Sequence, residues 1–160
     1  MSNVTGSYIY ISLTVDNSSG SPQLKYAWSS VAWMQDATSP MISVYRIDDN
    51  PDGTVTLPDP ARGEQFGFCI GFGGGNGTGY GWASDPLQSL AIATSPATPV
   101  FGQGLPAGFI GPKQNGGLMT FIDTNQVPGM QYEYSVALYP IPGGPHSGTG
   151  PIVFDPRIIN

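Results

Sequence analysis

The sequence predicts an all-β fold, an antiparallel β-sandwich or jelly-roll-like barrel of about seven or eight short strands with one short helix. Three observations carry that expectation. Several short runs alternate apolar and polar residues with a period of two, the pattern of strands that bury one face. Turn-forming residues punctuate them, with 23 glycines and 16 prolines in the chain. Finally, 39% of residues are hydrophobic, 11% aromatic and only 10% charged. That is enough apolar surface for a core, so the Gly and Pro content reads as turn chemistry and not as disorder. Residues 1–160 suit a single domain, which at this size buries roughly 70% of the surface its unfolded chain exposes.

Residues 8–16 make the cleanest strand, with Ile9, Ile11, Leu13 and Val15 on one face and Tyr8, Tyr10, Ser12 and Thr14 on the other. A turn over 17–22 leads to Leu24, Tyr26 and Trp28 at strand spacing, while 29–35 fits a strand or one helical turn equally well. Strands are expected over 41–47, with 54–57 a short partner for it across 48–53, and over 64–72, which runs into the glycine tract 71–81. A short helix is expected over 84–91: a cap residue, Pro86 in the first turn and apolar residues three and four apart are its signals. Prolines and glycines recur through 93–117, which suits a long surface connection or irregular edge strands. Residues 118–122 form a strand, and Tyr132, Tyr134, Val136 and Leu138 line one face of another over 131–138. The last strand, 152–154, is expected to close at Asp155-Pro156, because proline cannot donate to a ladder.

Composition narrows the function classes. The net charge is −6 and the five basic residues, Lys25, Arg46, Arg62, Lys113 and Arg157, are scattered singly, so nucleic-acid binding lacks its electrostatic term. No apolar run approaches the ~18 residues of a membrane-crossing helix, and the first residues lack the basic and apolar regions of a signal peptide. A cytoplasmic location is therefore expected, with leaderless export as the alternative. Cys69 is the lone cysteine, flanked by Phe68 and Ile70, and reads as a buried, inert thiol. His146 is the one histidine and is expected in a solvated loop, so a Ser-His-Asp or Cys-His arrangement has no fixed base. The glycine tract contains neither GxGxxG nor GxxxxGK and has no helix start behind it, which excludes a phosphate cradle.

Two residue patterns point toward ligands. Asp48, Asn50, Asp52 and Asp59 fall at positions 1, 3, 5 and 12 of a loop with Gly53 at position 6, a spacing that resembles the calcium loop of EF-hand proteins. Asp59 stands where that loop carries a bidentate Glu, and Pro51 and strand-like flanks depart from it; the competing reading is an acidic hairpin turn. Tyr80 and Trp82 beside the glycines, with Trp28 and Trp33 in a charge-poor tract, are the candidate aromatics for a carbohydrate or partner surface.

The ending Tyr132-x-Tyr134-Ser135-Val136, a Gly/Pro connection and Phe154-Asp155-Pro156-x-Ile158 resembles the closing hairpin of the bacterial PixA/AidA inclusion-body proteins. The opening strand into Asp16 is similar to theirs, so the resemblance covers about a third of the chain. It implies a small β-rich cytoplasmic protein that accumulates in ordered inclusions, with no catalytic residues to carry over. The resulting expectation is a non-enzymatic structural protein that assembles with itself into an oligomer, filament or inclusion. Its few charges and scarce Lys and Glu leave little repulsion and little side-chain entropy to lose at a contact. The alternative is a lectin-like module assisted by calcium; a glycosidase using two of the eleven acids ranks last.

Overall fold

Alternation of Ile9, Ile11 and Leu13 with Tyr8, Tyr10 and Ser12 produces the first strand, β1 (Gly6–Asp16), whose apolar set is fully buried. The structure is a computed structural model and describes residues 6–34, 41–46, 55–56, 65–115, 117–124, 127 and 129–159. No helix among them is long and apolar enough to cross a membrane.

Two sheets share one core. In the first, β1 lies between β2 (Gln23–Met34) and β5 (Phe66–Phe72); β3 (Met41–Arg46) flanks β2, while β9 (Leu118–Asp123) and then β8 (Phe109–Asn115) extend beyond β5. β2 remains a strand to Met34, which settles the ambiguity over 29–35 up to that residue. β8 is an edge strand with a register shift between Ile110 and Lys113, where Gly111 has φ +65° and Pro112 lacks an N–H. Such a bulge blunts an edge that could otherwise recruit another strand.

The second sheet is built on β10 (Gln131–Pro140). One of its edges takes β7 (Leu90–Thr94) and β6 (Tyr80–Gly81); the other takes β11 (Ile152–Phe154) and β12 (Arg157–Ile159), with β4 (Val55–Thr56) outside β12. β11 and β12 keep one register, Val136 opposite Phe154 and Glu133 opposite Arg157, so they form a single hairpin arm interrupted at Asp155-Pro156. β11 ends at Phe154 before Asp155-Pro156 as expected, but it is not the last strand, because β12 follows. Pro156 cannot donate, but its carbonyl still accepts from Tyr134 N at 3.1 Å and the ladder resumes.

The all-β class holds, with two corrections of detail. The sheets are mixed, because β1 pairs with β5 and β4 with β12 in parallel; β4 is thus a partner of β12 and not of β3, which pairs with β2 in the other sheet. Over 84–91 the helix reduces to a 3-10 turn, Pro86–Gln88. Asp85 caps it as expected, its Oδ1 accepting from Leu87 N at 3.0 Å, but Leu90, Ala91 and Ile92 are taken by the edge of β10 and buried there.

The core is filled from both sheets. Phe68 and Phe121 stack with centroids 4.8 Å apart, Phe109 lies 6.1 Å from Phe121, and Phe109 meets Tyr132 edge-on at 4.7 Å, which carries the aromatic contact from the first sheet to the second. Replacing Phe68, fully buried in this stack, by alanine is expected to lower unfolding free energy by about 3–5 kcal/mol. Chemical denaturation checks it; a loss below about 1 kcal/mol would contradict this packing.

Candidate functional site

The glycine tract borders a concavity at the end of β5. At the end of β5, Gly73 N donates to Leu13 O at 2.9 Å, and the chain then turns through a 3-10 segment, Gly75–Thr78. Thr78 closes that turn, its hydroxyl donating to Gly75 O at 2.8 Å. β6 follows directly, so the tract leads into a strand and is not a phosphate cradle.

The cavity beside this turn measures about 540 Å3. Its apolar surface comes from Phe72, Trp82 and Ile141, and its polar surface from Gln114 and the peptide groups of Gly75, Gly81 and Gly117. Phe72 and Trp82 meet at 80° with centroids 5.6 Å apart. Trp82 Nε1 donates to Gly117 O at 2.8 Å, which ties the indole to the turn between β8 and β9. A buried indole N–H that finds a carbonyl fixes its ring, so the aromatic wall is already in place. None of the described lining residues is charged.

The expected aromatic site is thus divided. Trp82 is 8% exposed and lines this cavity, whereas Tyr80 is 1% exposed and belongs to the core. Tyr80 stacks instead on His146, centroids 4.7 Å apart. The solvated-loop expectation for His146 is therefore corrected: its loop is folded back onto β6, with Ile141 N donating to Gly79 O at 2.9 Å and Thr149 Oγ1 to His146 O at 2.6 Å. Gly79 has φ +84°, and a Cβ there would lie 2.9 Å from His146 Cδ2 and 3.0 Å from Pro145 Cγ. The glycine thus serves both the backbone turn and the close docking of the loop.

Trp28 is far from these residues in the sheet order, on the outer face of the first sheet, where it stacks on Tyr10 at 5.2 Å. Trp33 belongs to β2, opposite Ser7 and Ser43, with its side chain outside the described part. Asp48, Asn50, Asp52 and Asp59, the candidate calcium ligands, lie outside the described residues. Among the described residues, no group of three or more His, Cys, Asp or Glu could hold a metal ion.

The outer face of the first sheet is the second surface of interest. Reading across β1, β5, β9 and β8, Tyr8 stands beside Gly67, Ile122 and Ile110. Tyr8 is 47% and Ile110 49% exposed. In the next rows lie Tyr10, Cys69 and Thr120, then Ser12 and Gly71, with the Tyr10 hydroxyl covering Gly71. Burial pushes the Cys69 thiol up, which keeps it protonated and slow to react. Charge on this face comes, among described residues, from Lys113 on β8, from Arg46, whose register position on β3 falls in the row of Tyr10, and from an ion pair at the far end of β1, Lys25 Nζ to Asp16 Oδ2 at 2.6 Å. The Lys25 hydrogen bond, and after it Ser18, hold the Asp16 carboxyl well below the ordinary carboxylate range.

A smaller cavity of about 310 Å3 brings Glu133 and Asp155 to a wall of Pro96, Pro99 and Phe101. Both carboxylates are engaged, Glu133 Oε1 accepting from Ser95 Oγ at 3.0 Å and Asp155 Oδ1 accepting from Ser135 Oγ. These hydrogen bonds serve to hold the strap after β7 and the interrupted arm of the hairpin. Sequence reasoning missed this pair, and it missed Phe72, Gln114 and Ile141, which reach the larger cavity from three separated segments. The glycine tract and Trp82 were the local signals for that cavity.

No protein-family model, curated protein or solved structure matches the chain.

Two outcomes follow from this geometry. Because the folded-state pKa of Asp16 is depressed, its contribution is present above the ordinary value of 3.8 and is lost as pH falls below it. In Lys25→Met the acid-unfolding midpoint is expected to move to higher pH; an unchanged midpoint in circular dichroism would contradict the pairing. Gly79→Ala, forced into a left-handed conformation against His146, is expected to cost about 1–3 kcal/mol in denaturant unfolding. If alanine is neutral there, the loop does not dock as described.

Proposed function

We propose that this chain is a non-enzymatic structural protein that assembles with copies of itself, and that the outer face of the first sheet makes the contact. The supporting observation is the chemistry of that face. In a chain with net charge −6, its described residues carry one self-neutralised carboxylate and two cations at opposite edges, Lys113 on β8 and Arg46 at its register position on β3, and between them stand Tyr8, Tyr10, Gly67, Ile110 and Ile122. A partner's sheet therefore meets little like-charge repulsion and few long charged side chains to immobilise.

The dimensions suit the purpose. Six strands at about 4.8 Å spacing give a face roughly 29 Å wide, and the 11 residues of β1 run about 36 Å along it. That is the scale of the roughly 800 Å2 per partner in a standard interface. On this side of β5, Tyr10 and Leu118 cover Gly71, while Gly67 places no side chain between Tyr8 of β1 and Ile122 of β9. A copy turned about a two-fold axis can seat its own exposed tyrosine there, since sheets pack face to face about 10 Å apart. The similarity of the closing hairpin to PixA/AidA inclusion-body proteins agrees with this reading.

Light scattering coupled to size exclusion, followed by electron microscopy of the same sample, is the test. Wild-type protein is expected to form oligomers or ordered particles that grow with concentration. The double variant Tyr8→Lys, Ile110→Lys places a charge at each exposed apolar site and is expected to shift the protein to monomer with unchanged circular dichroism. A wild-type protein that stays monomeric at high concentration across salt and pH would remove the assembly reading. Oligomers unaffected by the double variant would move the contact to another surface.

A further inference from the structure

We propose that the cavity between the glycine tract and the β8–β9 turn is a binding site for a neutral saccharide, one or two pyranose rings long. The site is independent of the assembly face, because its walls come from the core-side ring of Phe72, from Trp82 and from loops at the end of the sheets.

Size comes first. At about 540 Å3 the cavity lies within the roughly 300–1,000 Å3 of small-molecule sites. Its walls then discriminate among ligand classes. An anion or cation finds no opposite charge, since none of the described lining residues is ionisable, and desolvating an unpaired charge is expensive. A pure hydrocarbon would fit Phe72, Trp82 and Ile141 but would strip water from the Gln114 carboxamide without replacing its hydrogen bonds, whereas the Gly75 and Gly117 carbonyls already accept from Thr78 Oγ1 and Trp82 Nε1. A pyranose answers both surfaces. Its axial C–H groups pack on aromatic rings, and its hydroxyls both donate and accept, as peptide and carboxamide groups require.

The site is also prepared in advance. The Trp82 indole is held by Gly117 O at 2.8 Å and braced by Phe72 at 80°, so little ring motion is lost on binding. Gly75 at φ +50° and Gly117 at φ +85° have nothing within 4 Å of where a Cβ would stand. Their backbones face open space at the cavity rim, where a side chain would otherwise stand between ligand and peptide.

Trp82 is one of 3 tryptophans, so a Trp28→Phe, Trp33→Phe protein leaves it as the single indole reporter. Titration with glucose, galactose, mannose, N-acetylglucosamine and lactose is expected to give a saturable change in Trp82 emission for at least one sugar, and calorimetry on the unmodified protein the same affinity. Gln114 is exposed and its loss threatens no core contact, so Gln114→Ala is expected to weaken binding about three- to tenfold, the worth of one hydrogen bond. Ile141→Trp fills the cavity and is expected to abolish binding while circular dichroism stays unchanged; should that variant unfold, Gln114→Ala decides alone. The proposal is overturned if none of these sugars and no neutral glycan on an array gives saturable binding. It is equally overturned if binding is found but Gln114→Ala leaves its affinity unchanged.

Discussion

Four aromatic rings hold the two sheets as one body. Phe68 on β5 stacks on Phe121 of β9, Phe109 of β8 tilts against Phe121, and Tyr132 of β10 receives the edge contact from Phe109. Offset and edge-on pairs of this kind add to the area they bury, about 0.5–1.5 kcal/mol each beyond it. Their effect on the architecture is larger than the sum. β8 is an edge strand with a broken ladder, and Phe109 is the residue through which that edge is anchored to the opposite sheet. Once β8 is fixed, so is the turn that offers Gly117 O to Trp82.

At the same point the core admits an acid. Asp123, 1% exposed, ends β9 beside this ring cluster, and Tyr132 feels it. Burial first, and the Asp123 carboxylate second, push the Tyr132 hydroxyl above its ordinary range, so the phenol stays a neutral hydrogen-bonding group under ordinary conditions.

What the sequence made legible was whatever depends on local period. Ile9, Ile11 and Leu13 announced β1, and Tyr132, Tyr134 and Val136 announced β10, because a strand buried on one face writes its geometry into alternate residues. Leu90 to Ile92 did not, because the cap at Asp85 and Pro86 were true local signals overruled by the free edge of β10. Pro156 misled in the opposite sense: the residue cannot donate, but the register needed only its carbonyl at that position. The parallel pairing of β1 with β5 joins residues some sixty positions apart, and nothing in either strand encodes its partner. The candidate cavity was half legible. Trp82 and the glycines were visible as unusual neighbours, but Gln114 and Ile141 arrive from elsewhere in the chain, and His146 is drawn from its loop onto Tyr80 only because Gly79 leaves room.

The glycines explain how one small fold can present two surfaces of opposite character. On β5, Gly67 and Gly71 lower the outer face between tall neighbours, and Tyr10 crosses the gap with its hydroxyl 2.7 Å from where a Gly71 Cβ would stand. Flatness there comes from absent side chains, and flat neutral faces suit contact with another flat face. Past Phe72 the same residue type bends the backbone away from the sheet, through Gly74 at φ +83° and Gly75 at φ +50°, and the bend opens the cavity that Trp82 walls. A side chain on β5 would roughen the first surface, and a stiffer tract would close the second. Both depend on β5 emerging from the core in register with β1, so the aromatic cluster that fixes β5 also sets the spacing between the outer face and the cavity.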